Sequence, residues 1–174
     1  MKTIIRALKT KIASLSVDAI VNAANSSLSD EGGGLNGTIH RAAGPELLRA
    51  CRLLGGCNIG HAKLTKGYRL PARYVIHAVG PVSRSGASGI ELLELCYRRS
   101  IELAAANGIA TLAFPSISTG AYGYSVEQVA KIAVKTVRST LEANQSIREV
   151  IFCCFSAKDL KIYEAALNEQ AAAE

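Results

Sequence analysis

The sequence predicts an α/β fold, a three-layer sandwich with helices over both faces of a sheet of about six strands. Three observations carry this expectation. Six apolar runs of strand length are spread along the chain, segments with helical spacing alternate with them, and several runs lack polar alternation, as strands buried on both faces do.

In chain order, residues 4–8 and 19–22 are short runs rich in Ile, Val and Ala and read as the first two strands. Residues 38–43 read as helix until Gly44-Pro45 breaks them. Residues 46–51 restart it, with the proline in the first turn, where its missing N–H costs no helical bond. Strands follow at 62–65 and 74–79. A longer helix is predicted over 90–106, with Asn107-Gly108 as the stop before a strand at 110–114. Within residues 125–143 the apolar Val126, Val129, Ala130, Ala133, Val134, Val137 and Leu141 share one stripe. Ser125 and Gln128 there have the spacing of a capping box. The last strand is predicted at 150–155 and the last helix at 159–168, ending in an Ala-rich tail.

With 174 residues, 49% hydrophobic and 20% charged, the chain is expected to form one domain over residues 1–174, which excludes a multidomain machine and a disordered or fibrous chain. Twenty Lys and Arg against fourteen Asp and Glu leave a charge of +6, suited to anionic partners such as phosphates. Nucleic acid is the weaker reading, because Arg98-Arg99, Lys9 and Lys11 are most simply solvated faces. No run of about 18 apolar residues is present, so neither membrane insertion nor secretion is expected. Five cysteines, an odd number with Cys153 beside Cys154 and no C-x-x-C, fit a reducing cytoplasm. Cys51, Cys57 and His61 match no zinc spacing, and neither a metal nor a cofactor is expected. His77, inside an apolar run, reads as a hydrogen-bonded core histidine.

Ligands of such sandwiches collect beyond the carboxyl ends of strands, and two loops in that position are rich in exposed N–H groups. The first contains Asn22, Asn25 and the consecutive Gly32, Gly33 and Gly34, and leads into a helix. Three glycines allow close approach of a bulky anion and a helix N-terminus adds partial positive charge, so diphosphate is the natural occupant; a surface turn is the plain alternative. Gly32, Gly34 and Gly37 also satisfy G-x-G-x-x-G, but no acidic residue near position 57 would hold a ribose, which argues against a Rossmann site. The second loop contains Pro115, Ser116, Ser118, Thr119, Gly120, Ala121, Tyr122, Gly123 and Tyr124. It can form a nest for phosphate with aromatics to cover a sugar. Ser118 as a hydrolase nucleophile lacks the G-x-S-x-G frame.

Taken together, VDAIVNAAN (residues 17–25), IHRAAGP (39–45), YVIHAVGP (74–81) and FPSISTGAYGY (114–124) resemble a macro domain. Gly56-Cys57 followed by GHAKLTKGY (60–68) resembles its MacroD-type branch. The resemblance implies a mixed sheet and a cleft for ADP-ribose. It also implies hydrolysis, either of acetyl from O-acetyl-ADP-ribose or of mono-ADP-ribose from acidic side chains of proteins, which makes these ligands and such modified proteins the implied partners. In that frame Asn25 would hold the distal ribose, and Gly32, Gly33 and Gly34 would wrap the diphosphate together with Ser118, Thr119, Gly120, Ala121, Tyr122 and Gly123. Tyr124 would pack near the distal ribose, Phe155 would stack on adenine beside Lys11 and Ile12, and Asn22 belongs to the same ligand set. Asn25 and Asn36 occupy the catalytic positions.

Three features depart from the family pattern. Thr10-Lys11-Ile12 stands where the family has Gly-Asp-Ile, whose aspartate accepts from the adenine amino group; an ammonium cannot accept. The glycine loop is one residue longer and includes Asp30 and Glu31. Asn36 stands where an aspartate orders or activates the attacking water, so hydrolysis is expected to be reduced, with Asp30, Glu31 or a substrate phosphate as replacements, and restoring the carboxylate is expected to raise it.

The first departure predicts that Lys11→Asp tightens ADP-ribose by about ten- to a hundredfold, the worth of a hydrogen bond to a charged group, roughly 1.5–3 kcal/mol. Calorimetry on both forms measures it, and equal or weaker binding by the variant would refute it.

Overall fold

The computed structural model describes residues 2–83 and 86–173. Strands β1 (Ile4–Lys9), β2 (Ala19–Ala24), β3 (Ala62–Lys66), β4 (Tyr74–Val79), β5 (Thr111–Phe114) and β6 (Glu149–Cys154) form one sheet in the order β1-β6-β5-β2-β4-β3. Every neighbouring pair is parallel except β3 with β4, so the sheet is mixed. The helices are α1 (Gly34–Ala43), α2 (Pro45–Leu54), α3 (Gly86–Ala106), α4 (Val126–Leu141) and α5 (Ala157–Ala173), and a 3₁₀ turn follows β1 at Ile12–Ser14.

Alternation along β2 divides the layers. Ala19 and Val21 pack into the core shared with α3, α4 and α5, whereas Ile20 and Ala24 pack with α1 and α2. Strands β2, β4 and β6 are buried at nearly every position while the edge strands β1 and β3 are half exposed. This is why the inner runs are continuously apolar.

Asp18, just before β2, sets the register of the three inner strands at that end. One of its carboxylate oxygens accepts from the N–H groups of Ala110 and Thr111 at 2.9 and 3.1 Å, and its own N–H donates to Thr111 Oγ1 at 2.9 Å. Its carbonyl accepts from Tyr74 N at 2.9 Å. With their starts fastened, β2 and β4 end level with one another, while β5 stops at Phe114, in register with Val21.

The expected elements are present, with shifted ends. Helix α1 starts at Gly34, ahead of the apolar pattern, because tertiary bonds from Asn36 offset the poor helix propensity of glycine. Helix α5 continues through the Ala-rich tail, alanine being the best helix former. Strand β6 stops at Cys154, which leaves Phe155 outside the sheet and 74% exposed. The capping box of Ser125 and Gln128 is formed in both directions.

His77 is fully buried, with Nε2 2.9 Å from Thr65 Oγ1 and its ring 6.4 Å from that of His40. Burial, with the neighbouring His40 adding to it, lowers its pKa from 6.5 to about 3. The neutral form is the one that fits, so its contribution to stability is whole above about pH 6.5 and is lost as the pH falls toward about 3. His77→Gln, which cannot titrate, should therefore lose less melting temperature than the native chain between those pH values, as followed by thermal denaturation; parallel acid profiles would contradict this.

Candidate functional site

The carboxyl ends of β1, β6, β5, β2 and β4 lie along one rim. Because β2 and β5 are neighbours, the loop after each lies beside the other. The two helices that follow differ at their N-termini. Ser125 caps α4, and Glu127 is in its first turn, whereas α1 has Gly33 at its cap, no side-chain cap bond and no acidic residue in the first turn. The first N–H groups of α1 are thus left for an anion. A Cβ at Gly32, Gly33, Gly34 or Gly120 would meet nothing within 4 Å, so the backbone there is open to close approach. Gly32 and Gly34 have φ of +81° and +67°. In the second loop positive φ falls on Ser118 and Gly123 and not on Gly120.

The first loop is held by side-chain amides. Asn25 Oδ1 accepts from Ser29 N at 3.0 Å and Ser27 Oγ at 2.9 Å, and Asn25 Nδ2 donates to the Ser29 carbonyl at 3.2 Å. Leu28, at φ +56°, is pressed into the core at 2% exposure. Asn36, buried at the third position of α1, turns back on the loop, and its Nδ2 donates to the carbonyls of Ser29 at 2.9 Å and Glu31 at 3.3 Å. Carbonyls only accept, so this fixes the amide orientation and aims Asn36 Oδ1 at Asn22, whose Nδ2 donates to it at 2.8 Å. Asn22, expected among the ligand contacts, is fully buried and spends its amide on Asn36. Asp30 and Glu31 are exposed.

The second loop is supported from below by two tyrosines. Tyr97 of α3 accepts from Ile117 N at 3.2 Å and donates to the Pro115 carbonyl at 3.3 Å, and the Tyr163 hydroxyl of α5 lies 2.6 Å from Ser116 Oγ. Neither was singled out from sequence, where each is one more apolar position on a helix. Thr119 Oγ1 closes the turn onto the Ser116 carbonyl at 2.9 Å. Tyr124 is buried and donates to the Val82 carbonyl at 3.3 Å. Ser118 is buried against Gly80, where a Cβ would collide with its hydroxyl.

Where β1 and β6 end, a cavity of about 810 Å³ opens, walled by Ile12, Leu35, Cys154 and Phe155 and bordered by Lys9, Thr10, Lys11, Gly34 and Thr38. It gathers Lys11, Ile12, Gly34 and Phe155 from the expected set. Asn25, Gly32, Gly33 and the residues from Ser118 to Tyr124 lie outside its walls, along the rim. A small recess beside it reaches Pro115, at the base of the second loop. Burial pushes the Cys153 thiol up to about 12 and the Cys154 thiol up to about 11, so neither is a thiolate at neutral pH. All five cysteines are free, and among the described residues no group of three His, Cys, Asp or Glu is placed to hold a metal ion.

A carboxylate at position 36 could make neither bond to the Ser29 and Glu31 carbonyls, so the gain expected from restoring an acid competes with release of the loop. Asn36→Asp should lower stability by about 1–3 kcal/mol, the cost of losing buried donors, and speed amide hydrogen exchange over residues 26–34. Melting and exchange measurements check this, and unchanged protection would show that Asn36 is not what holds the loop.

Known proteins with this arrangement are related in sequence as well as in fold. A macro domain-containing protein of Chlorobaculum tepidum is 61% identical over 94% of this chain and 95% of its own. The human ADP-ribose glycohydrolase MACROD2 is 52% identical over 89% of this chain, which spans 37% of that longer protein. The Oceanobacillus iheyensis macrodomain solved with ADP superposes with a TM-score of 0.91 at 38% identity, covering 97% of this chain and 92% of that one. The profile of the macro domain family matches residues 21–133, from β2 into α4. The chain therefore belongs to the macro domain family.

Proposed function

We propose that the rim binds ADP-ribose-type ligands, with the adenosine in the cavity beside Phe155 and the diphosphate between the two loops, and that the chain hydrolyses O-acetyl-ADP-ribose or mono-ADP-ribosyl esters slowly. The observation that carries this reading is the convergence on one rim of an aromatic-walled cavity, two open loops and the uncapped N-terminus of α1. The names of the relatives support it, one being an ADP-ribose glycohydrolase and another having been solved with ADP.

Ester hydrolysis needs a water to lose its proton as it attacks. Asn36 has no charge with which to take that proton, and both sides of its amide are engaged inside the protein. General-base assistance is typically worth about 10²–10⁴-fold, which is the scale of the expected loss. The substrate phosphate, or Asp30 or Glu31 on the exposed turn of the loop, takes the role instead. Asn25 is the ribose anchor in this reading, and its amide must exchange its bonds to Ser27 and Ser29 for the ligand. A second reading, a module that binds without turnover, is favoured by the full engagement of Asn36.

Calorimetry with ADP-ribose, ADP and adenosine, beside a turnover assay with O-acetyl-ADP-ribose, tests both. The expected result is binding of the two diphosphates, barely measurable binding of adenosine, and slow turnover that Asn25→Ala lowers further. Adenosine binding as tightly as ADP-ribose would remove the diphosphate site, and tight binding with no turnover would leave the binding module.

A further inference from the structure

Building on the reading of the rim as an ADP-ribose-type site, we propose that its nucleoside end is made for an additional anionic group, so that its preferred ligands carry a phosphate on the adenosine ribose. Lys9 and Lys11 are among the residues that line the cavity at the ends of β1 and β6. Among the described residues neither side chain has an ion pair or hydrogen bond. Arg41, which is not itself part of the lining, donates from Nη2 to Thr38 Oγ1 at 3.3 Å.

Among the described residues no carboxylate lines the cavity. The acidic groups felt there, Asp159 and Glu164, act on Cys154 from α5. The apolar walls and the exposed ring of Phe155 suit a stacked base, which leaves the two exposed lysines to the rest of the nucleoside. Adenosine offers the border nothing anionic. In the unrelated dinucleotide-binding folds an acidic residue holds the bare ribose hydroxyl and an arginine accommodates a ribose phosphate, which shows the chemistry by which a cation selects the phosphorylated form. Lys9 and Lys11, without an ion pair among the described residues, supply that kind of charge, and a phosphate dianion is the group they would draw.

Calorimetry at low ionic strength, about 20 mM, tests this with ADP-ribose against 2′-phospho-ADP-ribose, and with AMP against adenosine 2′,5′-bisphosphate and adenosine 3′,5′-bisphosphate, the last two separating the positions of the phosphate. The expected result is at least a tenfold advantage for a phosphorylated ribose, shrinking steeply with added salt. The advantage should fall toward parity in a Lys9→Met, Lys11→Met double variant and reverse in Lys11→Asp. These lysines are exposed, and melting curves verify that the variants fold. Equal affinities within each pair, or an advantage that survives the double variant, overturn the proposal even if ADP-ribose binds well. A gain for GDP-ribose with none for the ribose phosphates would assign the lysines to the base edge and also overturn it. If ADP-ribose and ADP fail to bind while a bisphosphate binds through the lysines, the rim reading falls and the anion preference stands.

Discussion

A hydrogen bond between two buried amides, Asn22 Nδ2 to Asn36 Oδ1, joins the central strand of the sheet to the helix that carries the glycine loop. Its direction is imposed from the other side, where Asn36 must present donors to the carbonyls of Ser29 and Glu31. One short side chain thus links sheet, helix and ligand loop. An aspartate in its place would accept from Asn22 equally well but would face two carbonyls without a proton to offer. The amide at position 36 and the path of the loop are therefore physically matched features of this chain.

The same layer between β2, β4 and α1 contains an unusual amount of buried polarity. Asn22 and His77 sit opposite each other in the register of β2 and β4, and His40 lies on α1 one turn beyond Asn36. Asn22 Oδ1, His40 Nδ1 and His77 Nδ1 are buried without a partner. Burial lowers the pKa of both histidines, with the charge of Asp30 acting in the opposite sense on His40. An all-apolar seam would be the more stable choice. The polar one fixes the position of α1 against the sheet, and with it the N–H groups at the start of the helix.

Electrostatically, the rim carries a neutral amide, Asn36, beside the glycine loop, and two lysines, Lys9 and Lys11, line the cavity at the ends of β1 and β6. The two open loops of the rim present backbone N–H groups, which neither titrate nor depend on side-chain identity. The rim is therefore donor-rich along its length, consistent with a chain of net charge +6 and with ligands bearing more than one phosphate.

The sequence by itself determined the six strands, the order of strands and helices and the two glycine-containing loops after β2 and β5, because apolar periodicity, the break at Gly44-Pro45 and the capping box at Ser125 are local and need no partner. It also marked Lys11 and Asn36 as unlike their family. The tertiary structure decided which groups the buried polar side chains meet. Asp18 reaches Thr111 and Tyr74 only because β5, β2 and β4 are neighbours, Tyr97 and Tyr163 meet under residues 115–117 only because α3 and α5 cover the same face, and Asn36 meets the Ser29 carbonyl only because the loop folds back over α1. Strand order and the path of a loop are set by the best burial of all the faces at once, a property of the whole chain that no short stretch of it encodes.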